Sequence, residues 1–173
     1  MSLLDNLIGV WCEAPDPTTD ESGNGETLTN NNLVGTTTGV VGTAGTFVAA
    51  STQYLNHADD ANLSTGNIDF TFAAWIWGTT LPNHASAINK REALEYILEY
   101  NTGTPAMKFL FGQNAITVEA STFGGLSTNT WYHVVFWNDI TNNQIGISVN
   151  TVANTFSNAG SGAVDGNGTF NLG

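Results

Sequence analysis

Two segments restrict the fold of this chain more than any others: Ile68-Asp69-Phe70-Thr71-Phe72-Ala73-Ala74-Trp75-Ile76-Trp77 and Trp131-Tyr132-His133-Val134-Val135-Phe136-Trp137. Aromatic and β-branched side chains suit the pleated surface of a strand better than the crowded turns of a helix. Both runs are too dense in them for a half-wetted strand, so they are expected as central strands covered on both faces. Alternation along a strand predicts Phe70, Phe72, Ala74 and Ile76 on one face and Trp75 and Trp77 on the other. Val134 and Phe136 are expected in the core by the same period.

A chain of 173 residues can bury a substantial core as a single domain, here residues 1–173. Charged residues make up only 10% of it, and abundant Gly, Asn, Thr and Ser favour many short strands joined by tight polar turns. The formal charge of -12 repels phosphate backbones and anionic headgroups, which argues against nucleic acid and membrane surfaces as partners. Cys12 is the only cysteine, so no intrachain disulfide forms, and it reads as a small buried apolar residue. Residues 1–7 show no basic, apolar signal pattern, and no run is long enough to span a membrane. Synthesis in a host cytoplasm is expected.

Turn chemistry divides the rest. Residues 7–13 are expected as a first strand, 16–32 as a loop, and 46–50 and 53–56 as a strand pair. Further strands are expected at 85–89, 96–101, 107–111 and 116–120. Residues 131–138 and 144–150 form the clearest hairpin, turning at Asp139-Ile140-Thr141-Asn142-Asn143. This spacing argues for an all-β, two-sheet antiparallel sandwich.

The order of these pieces resembles a known family. Leu3-Leu4-Asp5-Asn6-Leu7-Ile8, residues 20–25, Gln53-Tyr54-Leu55, the run from Asp69 to Trp75, Thr130-Trp131-Tyr132-His133-Val134-Val135 and Asn143-Gln144-Ile145 look like successive landmarks of laminin-G-like domains. These belong to the concanavalin A-like lectin and glucanase superfamily. The resemblance implies a jelly roll, an architecture used there for glycan binding, adhesion, enzyme appendages and phage virion proteins, so the fold by itself does not settle function. The family pattern runs past a segment like Thr169-Phe170-Asn171-Leu172-Gly173 into one more strand. Here the 7–13 strand is expected to lack that neighbour and to leave an edge for a partner chain.

Catalytic chemistry finds little footing. Some superfamily members are glucan hydrolases with two carboxylates on one strand, but Glu95 and Glu99 would stand roughly 13 Å apart at about 3.3 Å per residue. Glycosidic cleavage wants about 5 Å or about 6.5 to 9.5 Å. An outward acidic face, opposite inward Leu94, Tyr96 and Leu98, is the expected arrangement. His57, His84 and His133 lack metal-ligand spacing, and no nucleophile elbow or phosphate loop is present. His133 is expected to be packed. The chain is expected not to be an enzyme.

Binding is the better-supported class. Indoles stack on the apolar C–H faces of sugars, and Trp75 with Trp77, or Trp131 with Trp137, stand on common strand faces. Trp75, Trp77 and Trp137 are therefore candidate glycan-binding residues, with Trp77 nearest a rim because Gly78 ends its strand. The same tryptophans also fit a sandwich core. Asp59, Asp60 and Asp139 are oxygen donors in turns and candidate calcium ligands, although no EF-hand spacing is present.

The function expected from the sequence is a non-catalytic module displayed on a phage virion, as a capsid decoration or fibre component that binds glycan. Its expected partners are capsid or other virion proteins, in a homo-oligomer or larger assembly, together with a cell-surface glycan. The alternatives are a carbohydrate-binding or adhesion module of a bacterial surface protein, placed outside the cell, and, last, a glycan hydrolase.

Overall fold

The computed structural model describes residues 6–11, 15–66, 68–92, 95–112, 116–157 and 165–173. Their contacts group into two compact units, residues 1–63 with 169–173, and residues 64–168. Both are all-β, and no helix among the described residues is long and apolar enough to cross a membrane.

In the first unit, β1 (Thr29–Asn31), β4 (Tyr54–His57) and β13 (Phe170–Leu172) pair antiparallel with β4 in the middle. The strands β2 (Gly35–Thr38) and β3 (Thr43–Thr46) form a separate hairpin. The first strand expected at 7–13 is not found: residues 7–11 pair with no strand, and Cys12 lies outside the described residues. Polar side chains take the place of a ladder. Asn24 donates to the carbonyls of Leu7 and Ile8, Ser22 Oγ donates to Ile8, and Val10 N–H donates to Asp20. Asp20 organises this corner by accepting from Val10 N, Ser22 N and Oγ, Gly25 N and Glu26 N. Burial pushes its carboxyl up, but these donors outweigh that and draw it down to about 2. The expected strand at 46–50 is also replaced. Gln53 Oε1 accepts the Val48 N–H, and a 3-10 turn follows at Ala49–Ser51, closed by Thr52 in the left-handed region.

The second unit is a two-sheet antiparallel sandwich in itself. One sheet contains β6 (Ala85–Lys90), β7 (Tyr96–Asn101), β8 (Ala106–Phe111) and β9 (Ile116–Glu119), paired in that order. The other runs β12 (Val152–Ser157), β11 (Gln144–Val149), β10 (Trp131–Asp139) and β5 (Phe70–Trp77). Aromatic rings join their inner faces. Phe72 stacks on Phe136 at 5.0 Å and lies 4.9 Å from Tyr96, while Phe109 lies 4.7 Å from Phe136. Val134 and Phe136 are fully buried, as expected.

The alternation in β5 also follows expectation, with Phe70, Phe72, Ala74 and Ile76 inward and Trp75 and Trp77 outward. Its position does not. Within the unit β5 is the edge of its sheet, and its outer face is open rather than covered, leaving Trp75 43% and Trp77 44% exposed.

Glu95, just before β7, and Glu99 lie opposite inward Tyr96 and Leu98, as alternation requires, but depart from expectation in being buried rather than exposed, and Leu94 lies outside the described residues. Each has found a cation. Lys90 Nζ meets Glu95 Oε1 at 2.6 Å with both side chains fully enclosed. Lys90 also donates to Ser64 Oγ and the Gly166 carbonyl, and Glu95 accepts from the backbone N–H groups of Thr65 and Gly166. Such a pair persists in low dielectric only when its remaining donors and acceptors are filled, as they are here. Glu99 takes His84 Nδ1 at 2.9 Å and lies 3.8 Å from Lys108, its cross-strand partner on β8. Burial, and next the negative charge of Glu95, hold the Tyr96 phenol well above its usual range.

Candidate functional site

The outward residues of β5 and β10 come into register as cross-strand neighbours, which brings their side chains within reach of one another. Trp77 stands opposite Trp131, Trp75 opposite His133, Ala73 opposite Val135, and Thr71 opposite Trp137. The next strands extend two of these rows. Val135 continues to Ser148 and Ala153, and Trp137 continues to Gly146 and Thr155. The face therefore carries four of the five tryptophans of the chain.

Its relief follows from side-chain size. At one end Trp75 and His133 lie 5.1 Å apart and Trp77 and Trp131 lie 6.4 Å apart, both pairs with tilted rings. Short side chains, Ala73, Val135, Ser148 and Ala153, make a low floor in the middle. At the other end Trp137 lies across Gly146, its Cζ2, Cε2 and Cη2 atoms filling the space a Cβ would need. At about 3.3 Å per residue, the span from Trp131 to Trp137 is roughly 20 Å, long enough for several sugar rings in a row. His133 is held from the backbone side by Asn150, whose Oδ1 accepts the His133 N–H and whose own N–H donates to the His133 carbonyl.

Indole faces next to the hydroxyl groups of Thr71, Ser148 and Thr155 match the chemistry of a sugar, which is apolar on its C–H faces and polar at its rim. The candidates Trp75, Trp77 and Trp137 share this face. Trp131 and His133 complete it, and the odd-numbered alternation from Trp131 to Trp137 was the signal for both. His133 is half-buried as a packed residue would be, but it packs against Trp75 on the outer side.

Two of the three candidate calcium ligands, Asp60 and Asp139, accept hydrogen bonds within their own turns. In the first unit Asp60 Oδ1 accepts from Asn62 N and the Asp60 carbonyl from Leu63 N, beside exposed Asp59. In the second unit both carboxylate oxygens of Asp139 accept from Asn142, one from its side chain and one from its backbone, and this holds the carboxyl below its usual range.

The sequence matches no protein family and no curated protein. Solved structures do match in fold. Domain 4 of AbnA, a GH43 extracellular arabinanase from Geobacillus stearothermophilus, in complex with arabinotriose, superposes with a TM-score of 0.70 at 18% identity, covering 90% of this chain and 77% of that one. The binding domain of Paraclostridial Mosquitocidal Protein 1 superposes with a TM-score of 0.78 at 16% identity, covering 99% of this chain. The present chain spans 45% of the length of that binding-domain chain. At these identities the likeness shows the antiparallel β-sandwich fold alone. Neither neighbour is described as a virion protein, so the expectation of virion display gains nothing from them.

Proposed function

We propose that this chain is a non-catalytic carbohydrate-binding module whose ligand lies on the open tryptophan face of β5 and β10. The observation that carries this reading is the placement of Trp75, Trp77, Trp131 and Trp137 together on one exposed sheet face. A strand face that needs only solubility presents polar side chains, whereas four indoles on one face, Trp75 and Trp77 exposed and Trp131 and Trp137 half-buried, mark a contact surface. Stacking suits sugars because it needs no charge and tolerates a flat, shallow site. The neighbours are consistent with it, since one was solved with arabinotriose and the other is a toxin's binding domain. Glu95 and Glu99 are held by Lys90, Lys108, His84 and backbone donors, which gives them a structural task. Whether the module is carried on a bacterial surface or on a virion, this face would contact the cell-surface sugar, and attachment to a virion would go through its proteins.

Affinity electrophoresis through gels containing soluble arabinan, β-glucan or galactan tests the proposal. At least one polysaccharide should retard the wild-type chain, and Trp75→Ala or Trp137→Ala should restore free migration. Retardation unchanged in both variants would place the ligand elsewhere, and no retardation by any of these polysaccharides would remove the glycan reading.

A further inference from the structure

We infer that the tryptophan face selects an uncharged oligosaccharide and turns away acidic ones, an inference that rests on the glycan-binding reading. The rows from Trp77–Trp131 to Thr71–Trp137–Gly146–Thr155 are built from Trp, Thr, Ser, Ala, Val, Gly and one His. Recognition of a carboxylate or sulfate on a sugar calls for Arg or Lys, which supply charge and forked donors. The basic residues of this chain are Lys90, Arg91 and Lys108, on or just after β6 and on β8, strands of the opposite sheet. Lys90 and Lys108 are moreover engaged with Glu95 and Glu99.

The border of the face adds repulsion. One row beyond Trp137, Asp139 stands opposite Gln144. Asp69 lies on the matching outward position just before β5, its Oδ1 accepting the Ile140 N–H at 2.7 Å. The two donors of Asn142 hold the Asp139 carboxyl in place and below its usual range. Two fixed carboxylates at the Trp137 end accept hydrogen bonds from sugar hydroxyls and repel sugar carboxylates. A net charge of -12 across the chain acts in the same direction.

A matched pair of probes separates this claim from the glycan reading itself. The panel members with a free C6 hydroxyl, β-glucan and galactan, are each compared with their own TEMPO-oxidised form, in which primary hydroxyls have become carboxylates on an unchanged backbone. Binding is measured by affinity electrophoresis at 50 mM and 500 mM NaCl. The neutral form that binds should do so equally at both salt concentrations, and its oxidised form should bind about tenfold or more weakly at low salt, recovering in part at high salt. The Asp69→Asn/Asp139→Asn variant keeps an oxygen acceptor at each position and should regain part of the lost affinity. Oxidised forms that bind as well as or better than neutral ones at low salt would overturn the inference while leaving the glycan reading intact. Failure of every probe in both forms would overturn the glycan reading, and this inference with it.

Discussion

Trp137 on β10 lies across Gly146 on β11 so closely that the indole occupies the place of a β-carbon. The glycine thus sets the posture of the ring, which rests flat against the sheet instead of standing up from it. Gly146→Ala is expected to lift Trp137, costing about 1 to 3 kcal/mol as an overpacked contact and weakening sugar binding. Adding Trp137→Ala should return most of that stability, because the two effects share one cause. Chemical denaturation of the three variants checks the coupling, and additive losses would show that Gly146 matters for another reason.

The core beneath the face predicts a different pattern. Phe136 is fully buried between Phe72 and Phe109, so Phe136→Ala should destabilise by about 3 to 5 kcal/mol. Exposed Thr79→Ala should stay within about 0.5 kcal/mol. Equal denaturation midpoints for the two variants would contradict the sandwich packing described here.

The buried pair Lys90 and Glu95 should show strong non-additivity. Lys90→Met alone leaves Glu95 enclosed without its cation and should cost about 3 to 5 kcal/mol. Lys90→Met with Glu95→Leu should cost clearly less, since neither charge then remains buried alone. A double variant as unstable as the sum of the singles would argue that the hydrogen bonds to Ser64 Oγ and to the backbone of Thr65 and Gly166 dominate.

Asp20 gives a pH dependence with a defined sign. Its folded carboxyl titrates at about 2, below the ordinary 3.8, so folding favours the ionised form. The stabilisation is therefore complete above the ordinary carboxylate value and is lost as pH falls from about 4 through about 2. Thermal melts between pH 5 and pH 2 should show a steeper acid decline for the wild-type chain than for Asp20→Asn. At neutral pH that variant should be less stable by about 1.5 to 3 kcal/mol, typical of hydrogen bonds to a charged group. Parallel acid limbs would mean that Asp20 is not the group responsible.

The parts of this fold that could be read in advance are those governed by local periodicity. Two-residue alternation placed Phe70, Phe72 and Ile76 inward and Trp75 and Trp77 outward, and nothing distant altered it. Whether the outer face is covered depends on which strands lie where, and dense aromatics look the same on a buried face as on a contact surface. Glu95 and Glu99 were legible as neighbours on one side of a strand, but their burial depends on Lys90 and Lys108, whose approach only the β6–β7–β8 pairing reveals. Residues 7–11 have strand-like composition, yet Asp20, Ser22 and Asn24 take up backbone groups that a ladder would have used. The short strands β1 and β2 lie in Thr-, Asn- and Gly-rich sequence that reads as turn chemistry, because β-propensity is weak where pairing decides.

The most direct test of the central claim is a glycan array probed with the wild-type chain, with Trp75→Ala/Trp77→Ala/Trp137→Ala, and with Trp11→Phe. Trp11 serves the first unit, donating from Nε1 to the Glu26 carbonyl and stacking on Phe170, so its replacement tests for nonspecific loss of an aromatic. Each outer-face tryptophan should be worth about tenfold in affinity, near the upper end of an aromatic stacking contact. Neutral oligosaccharides bound by the wild-type chain should be retained by Trp11→Phe and lost by the triple variant, whose far-ultraviolet circular dichroism stays that of a folded β-sandwich. A folded triple variant that keeps the wild-type binding pattern, or an array on which the wild-type chain binds nothing, would contradict the central claim.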